Sequence, residues 1–539
     1  MKQFFVTLAL CSMTLISYST IIDGGIYHTS RTNITFDLDK SDYQRDWIIS
    51  LENNPDILRV FCEKPIELTF HLPTRDVHFL IRESDTIKLS FVVNGIDTAN
   101  TLLVGTREVP NSIEVDEKLF HFSRLWSEVK YNYVNIDYLD FDLDSLYKVY
   151  ISQIMKSNND YEYYRLLQRF FASLRDGHTQ VFVPSYLSVY EDYIPISISQ
   201  FDKQLYITAI PKDIGLDSTF LGARILKIND MPIQLFLEDS IFPYISHSTE
   251  QSLWVQVPQA ICYGLRNKPV VIEVQKNEDQ TAVITLVRNG EATRKVQREY
   301  FSLHKPSDEK WDFIQLHWLN DTTLHLCVNS FYPDNYIISL IKEHEKEILR
   351  AKRLIIDIRK NGGGSTTVAH FLQSCLTKDA FFLNYAWQTR INDGVRKANG
   401  NWIEEYKDYY VGKAYRTMDG DTIYIPDTLL RWGIPTVILI GEHTFSAAED
   451  FLVNIYETSG RPLLIGTTTG GSTGSPLVIE NLPHGGCARL CTRRILFPYS
   501  HKPFVGKGIR PDIEVVISFD DFCQGIDSPL EKAIEILTK

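Results

Sequence analysis

The chain has 539 residues, 44% of them hydrophobic and 23% charged, with a formal net charge of −13. That length exceeds one domain, and the composition is that of a folded protein with sizeable cores. The acidic balance, with no Lys/Arg block, excludes nucleic acid and anionic membrane as main partners, because both demand concentrated positive charge.

Residues 1–20, MKQFFVTLALCSMTLISYST, carry one lysine, an apolar run and a close of small and hydroxyl residues. This is the pattern of a secretory signal peptide, so export is expected, to a bacterial periplasm or cell envelope or beyond the cell. No later stretch approaches the roughly 18 apolar residues of a membrane span, and no integral span is expected. Seven cysteines follow the leader. Their odd, scattered set is no disulfide framework and has no zinc-site spacing, so buried thiols are expected. There is no HExxH, phosphate-binding loop or calcium loop, and neither metal nor cofactor is expected.

Residues 21–112 read as short strands, among them NITFDL, IELTFHL and TIKLSFVV, and are taken as an accessory β domain. Residues 113–188 switch to helical period. Tyr163, Leu166, Leu167, Phe170 and Leu174 share one face, with Asp160 expected as the N-cap. The segment ends in RDGHTQVFVP, where Gly177 breaks the helix and His178 lies at the break. Residues 189–298 return to strands, including GARILKINDMPI. Residues 299–539 alternate. RLIIDIR is an apolar strand of the kind buried on both faces, NGGGS follows, and Val368, Phe371, Leu372 and Cys375 then fall at helical spacing. TVILIG repeats the strand, and Ala448, Phe451, Leu452 and Ile455 repeat the stripe, up to Gly460. Two successive strand–turn–helix units predict an α/β core, whose ligands bind where strands end and helices begin.

Both turns carry chemistry. The glycines of Asn361–Ser365 suit a tight turn. They equally open a helix whose first N–H groups carry partial positive charge, as an oxyanion hole requires. Ser446, in EHTFSAAEDF, stands where an N-cap or a nucleophile would stand. A nucleophile needs two N–H donors and a base. Ala447, directly after the serine, offers one N–H, and the backbone at Gly363 and Gly364 offers another. For the base the residues leave His178, His443 and His501 open. GGSTG around Ser472 fits G-x-S-x-G, but Pro476 and β-branched residues follow instead of the helix that motif needs. Ser472 is therefore not expected to be the nucleophile.

LIIDIRKNGGGS (354–365), TFSAAEDFL (444–452), GRPLLIGTTTGGSTG (460–474), GKGIRPDIEV (506–515) and DSPLEKAIEIL (527–537) come in an order that resembles the tail-specific, or C-terminal processing, serine peptidases. That group includes the tricorn core peptidases. With LRDGHT (174–179), and with GARILKINDMPI similar to the core of a PDZ-like domain, the resemblance covers about residues 115–539. It implies a multidomain α/β protein with a crotonase-like α/β catalytic core over 299–539. A PDZ-like β domain would lie at 189–298 and a helical segment with the catalytic histidine at 113–188, the 21–112 domain standing outside. It implies Ser446 as nucleophile, with Ala447, Gly363 and Gly364 as the oxyanion hole. TTTGGSTG holds no lysine, so a Ser–Lys dyad is not supported. The tricorn-like branch has its histidine in the DGHT position, which is His178. That branch orients the histidine with a neighbouring serine and a distal glutamate. Here Gly177 stands in the first place and Phe504 and Val505 in the second, so the orienting acid is unassigned.

The resemblance implies a serine-type endopeptidase working through an acyl-enzyme on peptides or protein C-terminal regions. The PDZ-like segment would receive an extended peptide by strand addition. The incomplete histidine network motivates one alternative, a silent peptide- or ligand-binding protein on the same fold. An esterase or amidase using the same serine is another.

Overall fold

The computed structural model describes residues 109–288, 299–304 and 311–539, together with the backbone of short strands between 18 and 106. Those strands pair into sheets of five and four. The expected leader, and the side chains of the expected N-terminal β domain through residue 108, lie outside the described residues.

Helices α1 (Val115–Asn132), α2 (Leu143–Ile154) and α3 (Asp160–Ala172) come first. Asn159, not the expected Asp160, caps α3, accepting the Glu162 N–H at 2.9 Å. The Asp160 carboxylate is drawn elsewhere, to the N–H groups of Ser112 and Ile113 at 3.1 and 3.2 Å. Tyr163, Leu167, Phe170 and Leu174 are buried, while Leu166 is half-buried. Each fully buried apolar side chain contributes about 1.5–3 kcal/mol. Their core continues into Ile479, Leu482, Ala488 and Leu490, from the other end of the sequence. Strand β1 (Gln180–Phe182) strengthens that join. It pairs antiparallel with residues 487–491, Val181 opposite Ala488.

A second sheet runs β2 (Ser197–Phe201), β3 (Gln204–Pro211), β4 (Arg224–Ile228), β5 (Pro269–Asn277) and β6 (Gln280–Val287), in that spatial order. Helix α4 (Glu250–Cys262), capped by Thr249, packs beside β2. Ile198, Ile207, Ile225, Val257 and Ile272 share its core.

The later elements that position the site include β7 (Ile314–Asn320), β8 (Thr323–Val328), β9 (Arg353–Asp357), α5 (Thr366–Leu376), β10 (Thr436–Ile440), α6 (Ala447–Tyr456), β11 (Leu463–Gly466), β12 (Pro476–Ile479), β13 (Cys487–Cys491), β14 (Ile513–Glu514) and α7 (Ser528–Thr538). A six-stranded sheet has the order β7-β8-β9-β10-β11-β14, parallel from β8 onward. Leu354 and Ile356 of β9 face the core shared with α5 and α6. Ile355, Val437 and Leu439 face the side covered by Ala533 of α7. Covering on both faces is why β9 and β10 read as continuous apolar runs. Helix α6 is buried from Ala447 to Ile455, and it ends before Gly460, which lies beyond the helix at φ 72°.

Among the described residues no helix is long and apolar enough to cross a membrane. The six described cysteines are free thiols; Cys262, Cys375 and Cys491 are buried and Cys523 is exposed.

Candidate active site

Strands β9 and β10 are parallel neighbours, with Ile356 opposite Ile438. Their C-terminal turns therefore lie side by side. In the first turn Gly363 and Gly364 have φ of 97° and 140°, which favours glycine. A Cβ on Gly363 would lie 2.6 Å from the Ser446 Cβ and 2.9 Å from the Ala447 nitrogen. One on Gly364 would lie 2.4 Å from the Phe331 carbonyl carbon. The turn is wedged between Phe331 and the second turn. It is held by the Phe331 N–H donating to Gly363 O at 2.9 Å and the Ser365 N–H donating to Phe331 O at 3.0 Å.

Ser446 occupies the N-cap position of α6 with φ 56° and ψ −127°, and its side chain makes no capping bond. A serine at positive φ is strained, a cost that clusters at functional sites. Its Oγ lies 3.0 Å from His178 Nε2. The imidazole stacks on the Phe445 ring at 4.7 Å between centroids and 7° between planes. His178 reaches this place because β1 is paired to β13 and because the Asp176 Oδ1 accepts the His178 backbone N–H at 2.7 Å. The other ring nitrogen, Nδ1, lies 2.8 Å from Ser472 Oγ, and that oxygen is 3.3 Å from Asp176 Oδ1. Asp176 Oδ2 accepts from Asn135 Nδ2 at 3.1 Å.

Burial, reinforced by the positive charge of Arg489, pushes the His178 pKa down to about 4. The ring is therefore neutral at neutral pH and free to accept a proton. Burial raises the Asp176 carboxyl, against hydrogen bonds from His178, Asn135 and Ser472 that favour its charged form. Glu449, fully buried one turn into α6, is pushed up to about 8 by burial. Its oxygens accept the backbone N–H groups of Gly471 and Ser472 at 2.8 and 3.0 Å.

The expected oxyanion donors need one correction. The Gly363 N–H already donates to Asn361 Oδ1 at 2.9 Å, so it is not free for a ligand. Among the described residues the Gly364 and Ala447 N–H groups have no acceptor. Among the described residues neither rival histidine has a hydrogen bond with the Ser446 hydroxyl, which meets His178 alone. His443 is exposed, and His501 pairs with Asp419 at 3.3 Å. No helix follows Ser472; the next element is strand β12. Sequence reasoning set Ser472 aside as a nucleophile and so missed its contact with His178, which spans 294 residues and has no local signal.

Among the described residues one side-chain group could hold a metal. Ligand atoms of His325, Cys327 and Asp357 lie within 4.8 Å of one another. Asp357 is already committed to Arg359, with Nη2 to Oδ2 at 2.6 Å, and Arg359 also reaches Asp527 at 2.7 Å. That carboxylate is held well below the usual range by His325 and Arg359, against the effect of its burial. The group faces the α7 side of the sheet, as Ile355 does, and not the side of Ser446.

Residues 325–515 match the family model described as Peptidase family S41. Among solved structures, mature CPAF aligns with a TM-score of 0.57 at 15% identity, over 78% of this chain and 96% of that one. Mature CPAF complexed with lactacystin aligns with a TM-score of 0.56 at 14% identity, over 78% and 98%. The photosystem II D1 C-terminal processing protease aligns over 78% and 97% at 15% identity, with a TM-score of 0.42. The comparison with curated proteins returned no match. At these identities the likeness to CPAF establishes a shared fold.

Proposed function

We propose that this chain, whose residues 325–515 match the family model described as Peptidase family S41, is a serine endopeptidase with Ser446 as nucleophile and His178 as general base. The observation that carries the reading is the hydroxyl of Ser446, which leaves its helix uncapped and meets a neutral imidazole at 3.0 Å. Nε2 takes the hydroxyl proton as Oγ bonds to a peptide carbonyl carbon. The carbonyl oxygen becomes an oxyanion facing the Ala447 N–H at the start of α6, where the helix dipole adds to the attraction, and the Gly364 N–H of the neighbouring turn. The tetrahedral species collapses, the C–N bond breaks, and His178 returns the proton to the leaving amine. Water then adds to the acyl-enzyme by the same route and frees the acid.

The substrate reading rests on the second sheet, which we take as the PDZ-like domain beside a crotonase-like core. Strand β2 is an edge strand with α4 alongside. Between them lies a cleft of about 440 Å³, lined by Ser197, Ile198, Pro258 and Gln259, with Glu442 and His443 from the turn that carries Ser446. An extended peptide added to β2 would be delivered towards that turn. A cleft of this kind suits peptides or protein C-terminal regions better than a small acyl ester.

The test is to incubate an unstructured protein with the enzyme and sequence the products by mass spectrometry. Fragments from internal peptide bonds are expected with the wild type and none with Ser446→Ala. Equal fragment patterns from both would overturn the proposal. Ester hydrolysis without peptide cleavage would favour the esterase reading.

A further inference from the structure

Resting on that reading, we infer that Ser472 and Asp176 together orient His178, with the Ser472 hydroxyl linking the imidazole to a buried carboxylate. A hydroxyl has one hydrogen to donate, and Ser472 Oγ has two neighbours, His178 Nδ1 at 2.8 Å and Asp176 Oδ1 at 3.3 Å. If the hydrogen went to Nδ1, the imidazole would carry its own proton on Nε2 and could not take one from Ser446. If it goes to Asp176, Ser472 accepts from Nδ1–H, and the Nε2 lone pair faces Ser446. A carboxylate is the stronger acceptor. Asp176 is also built as an acceptor, taking the His178 backbone N–H at 2.7 Å and Asn135 Nδ2 at 3.1 Å. Asn135 is fixed in turn, its Oδ1 accepting from Arg494 Nε at 2.9 Å. The second arrangement is thus selected, and with it the tautomer that can act as base.

The Ser472 backbone is itself fixed, at the nucleophile and at Glu449. Its carbonyl accepts the Ser446 N–H at 3.2 Å, and its own N–H is held by Glu449 Oε2 at 3.0 Å. Among the described residues Ser472 is the one hydrogen-bond partner of His178 Nδ1. A Cβ on Gly177 would press on the Phe445 ring at 2.9 Å and lie 3.5 Å from the Ser472 Cβ, so Ser472 fills the side of the histidine where a residue-177 side chain would reach. Phe504 and Val505 are buried and apolar and supply no acid. When His178 takes the proton, the imidazolium Nδ1–H stays bonded through Ser472 to the Asp176 charge.

Ser472 and Asp176 are positioning residues, and the test must separate positioning from folding. Cleavage by the wild type and its loss in Ser446→Ala come first and test the underlying reading; if they fail, the inference falls with it. Ser472→Ala is then expected to lower kcat about 10²–10³-fold with KM within about threefold, and Ser472→Thr to recover to within about tenfold of wild type. Asp176→Asn is expected to lower kcat to a similar extent in the Ser472 background, yet by less than about threefold when added to Ser472→Ala, because the link is already cut. Folding is checked by thermal melting. If Ser472→Ala does not fold, Asp176→Asn and Ser472→Thr carry the test. Folded Ser472→Ala or Asp176→Asn retaining kcat within about threefold, or effects that multiply in the double variant, would overturn the inference while leaving the Ser446–His178 reading intact.

Discussion

Ser365 and Ser446 stand at the same place in two neighbouring units, each after a buried parallel strand and directly before a helix. Ser365 has φ −102° and ψ 131°, and its Oγ accepts the Thr367 N–H at 3.3 Å while donating to Asp334 Oδ2 at 3.2 Å. Ser446 has φ 56° and ψ −127°, caps nothing, and meets a histidine 268 residues away. The residue type and its local position are the same. The backbone conformation decides whether the hydroxyl turns back onto its helix or outward, and a distant segment decides what it then meets.

The sharpest break of the pair is substitution of each serine by alanine. Ser446→Ala is expected to lower peptide cleavage by at least about 10⁴-fold while shifting the melting temperature by only a few degrees, because no cap is lost. Ser365→Ala should leave cleavage within about threefold. A large loss of cleavage in Ser365→Ala would show that the two hydroxyls are not separated in role.

The side of the first turn that packs on Phe331 gives the next effect. Gly364→Ala would place a Cβ 2.4 Å from the Phe331 backbone at φ 140°. It should lower cleavage about 10²–10³-fold by displacing an N–H donor and destabilise the fold by about 2–3 kcal/mol, measurable by urea unfolding.

A pH series sharpens the comparison at the histidine. The His178 pKa is depressed to about 4 by burial and Arg489, so the ring stays neutral well below the ordinary imidazole range. Cleavage should hold as the pH falls through about 6.5 and fail only towards about 4. The sign for stability follows from the same depression. Protonation favours the unfolded chain, so the contribution is present above the unfolded value near 6.5 and is lost as pH falls through the folded value. His178→Ala should remove that part of the acid loss in melting temperature. An activity limb near 6.5 would contradict the assigned environment.

The smallest effect belongs to the ordinary cap. Ser365→Ala should cost about 0.5–2 kcal/mol of stability, read from chemical denaturation.

Much of the sheet was legible because burial on both faces leaves uninterrupted apolar runs such as RLIID and TVILI. The α3 stripe was legible for the opposite reason, since one face is buried and the other is not. The cap of α3 was misplaced by one residue because Asp160 answers to Ser112 and Ile113, a demand that helical periodicity does not encode. The Gly363 N–H was counted as free, although Asn361, two residues earlier, is a side chain well suited to take it. The choice among His178, His443 and His501 could not come from spacing, because it depends on β1 pairing with β13. Ser472 drew attention through a G-x-S-x-G pattern that had no helix behind it; its contact with His178 is purely tertiary.

The most direct test of the central claim is intact-mass labelling with a fluorophosphonate probe on the wild type, Ser446→Ala and His178→Ala. The account predicts one adduct on the wild type and none on either folded variant. An adduct that persists in Ser446→Ala, or a well-folded wild type that takes no label, would contradict it.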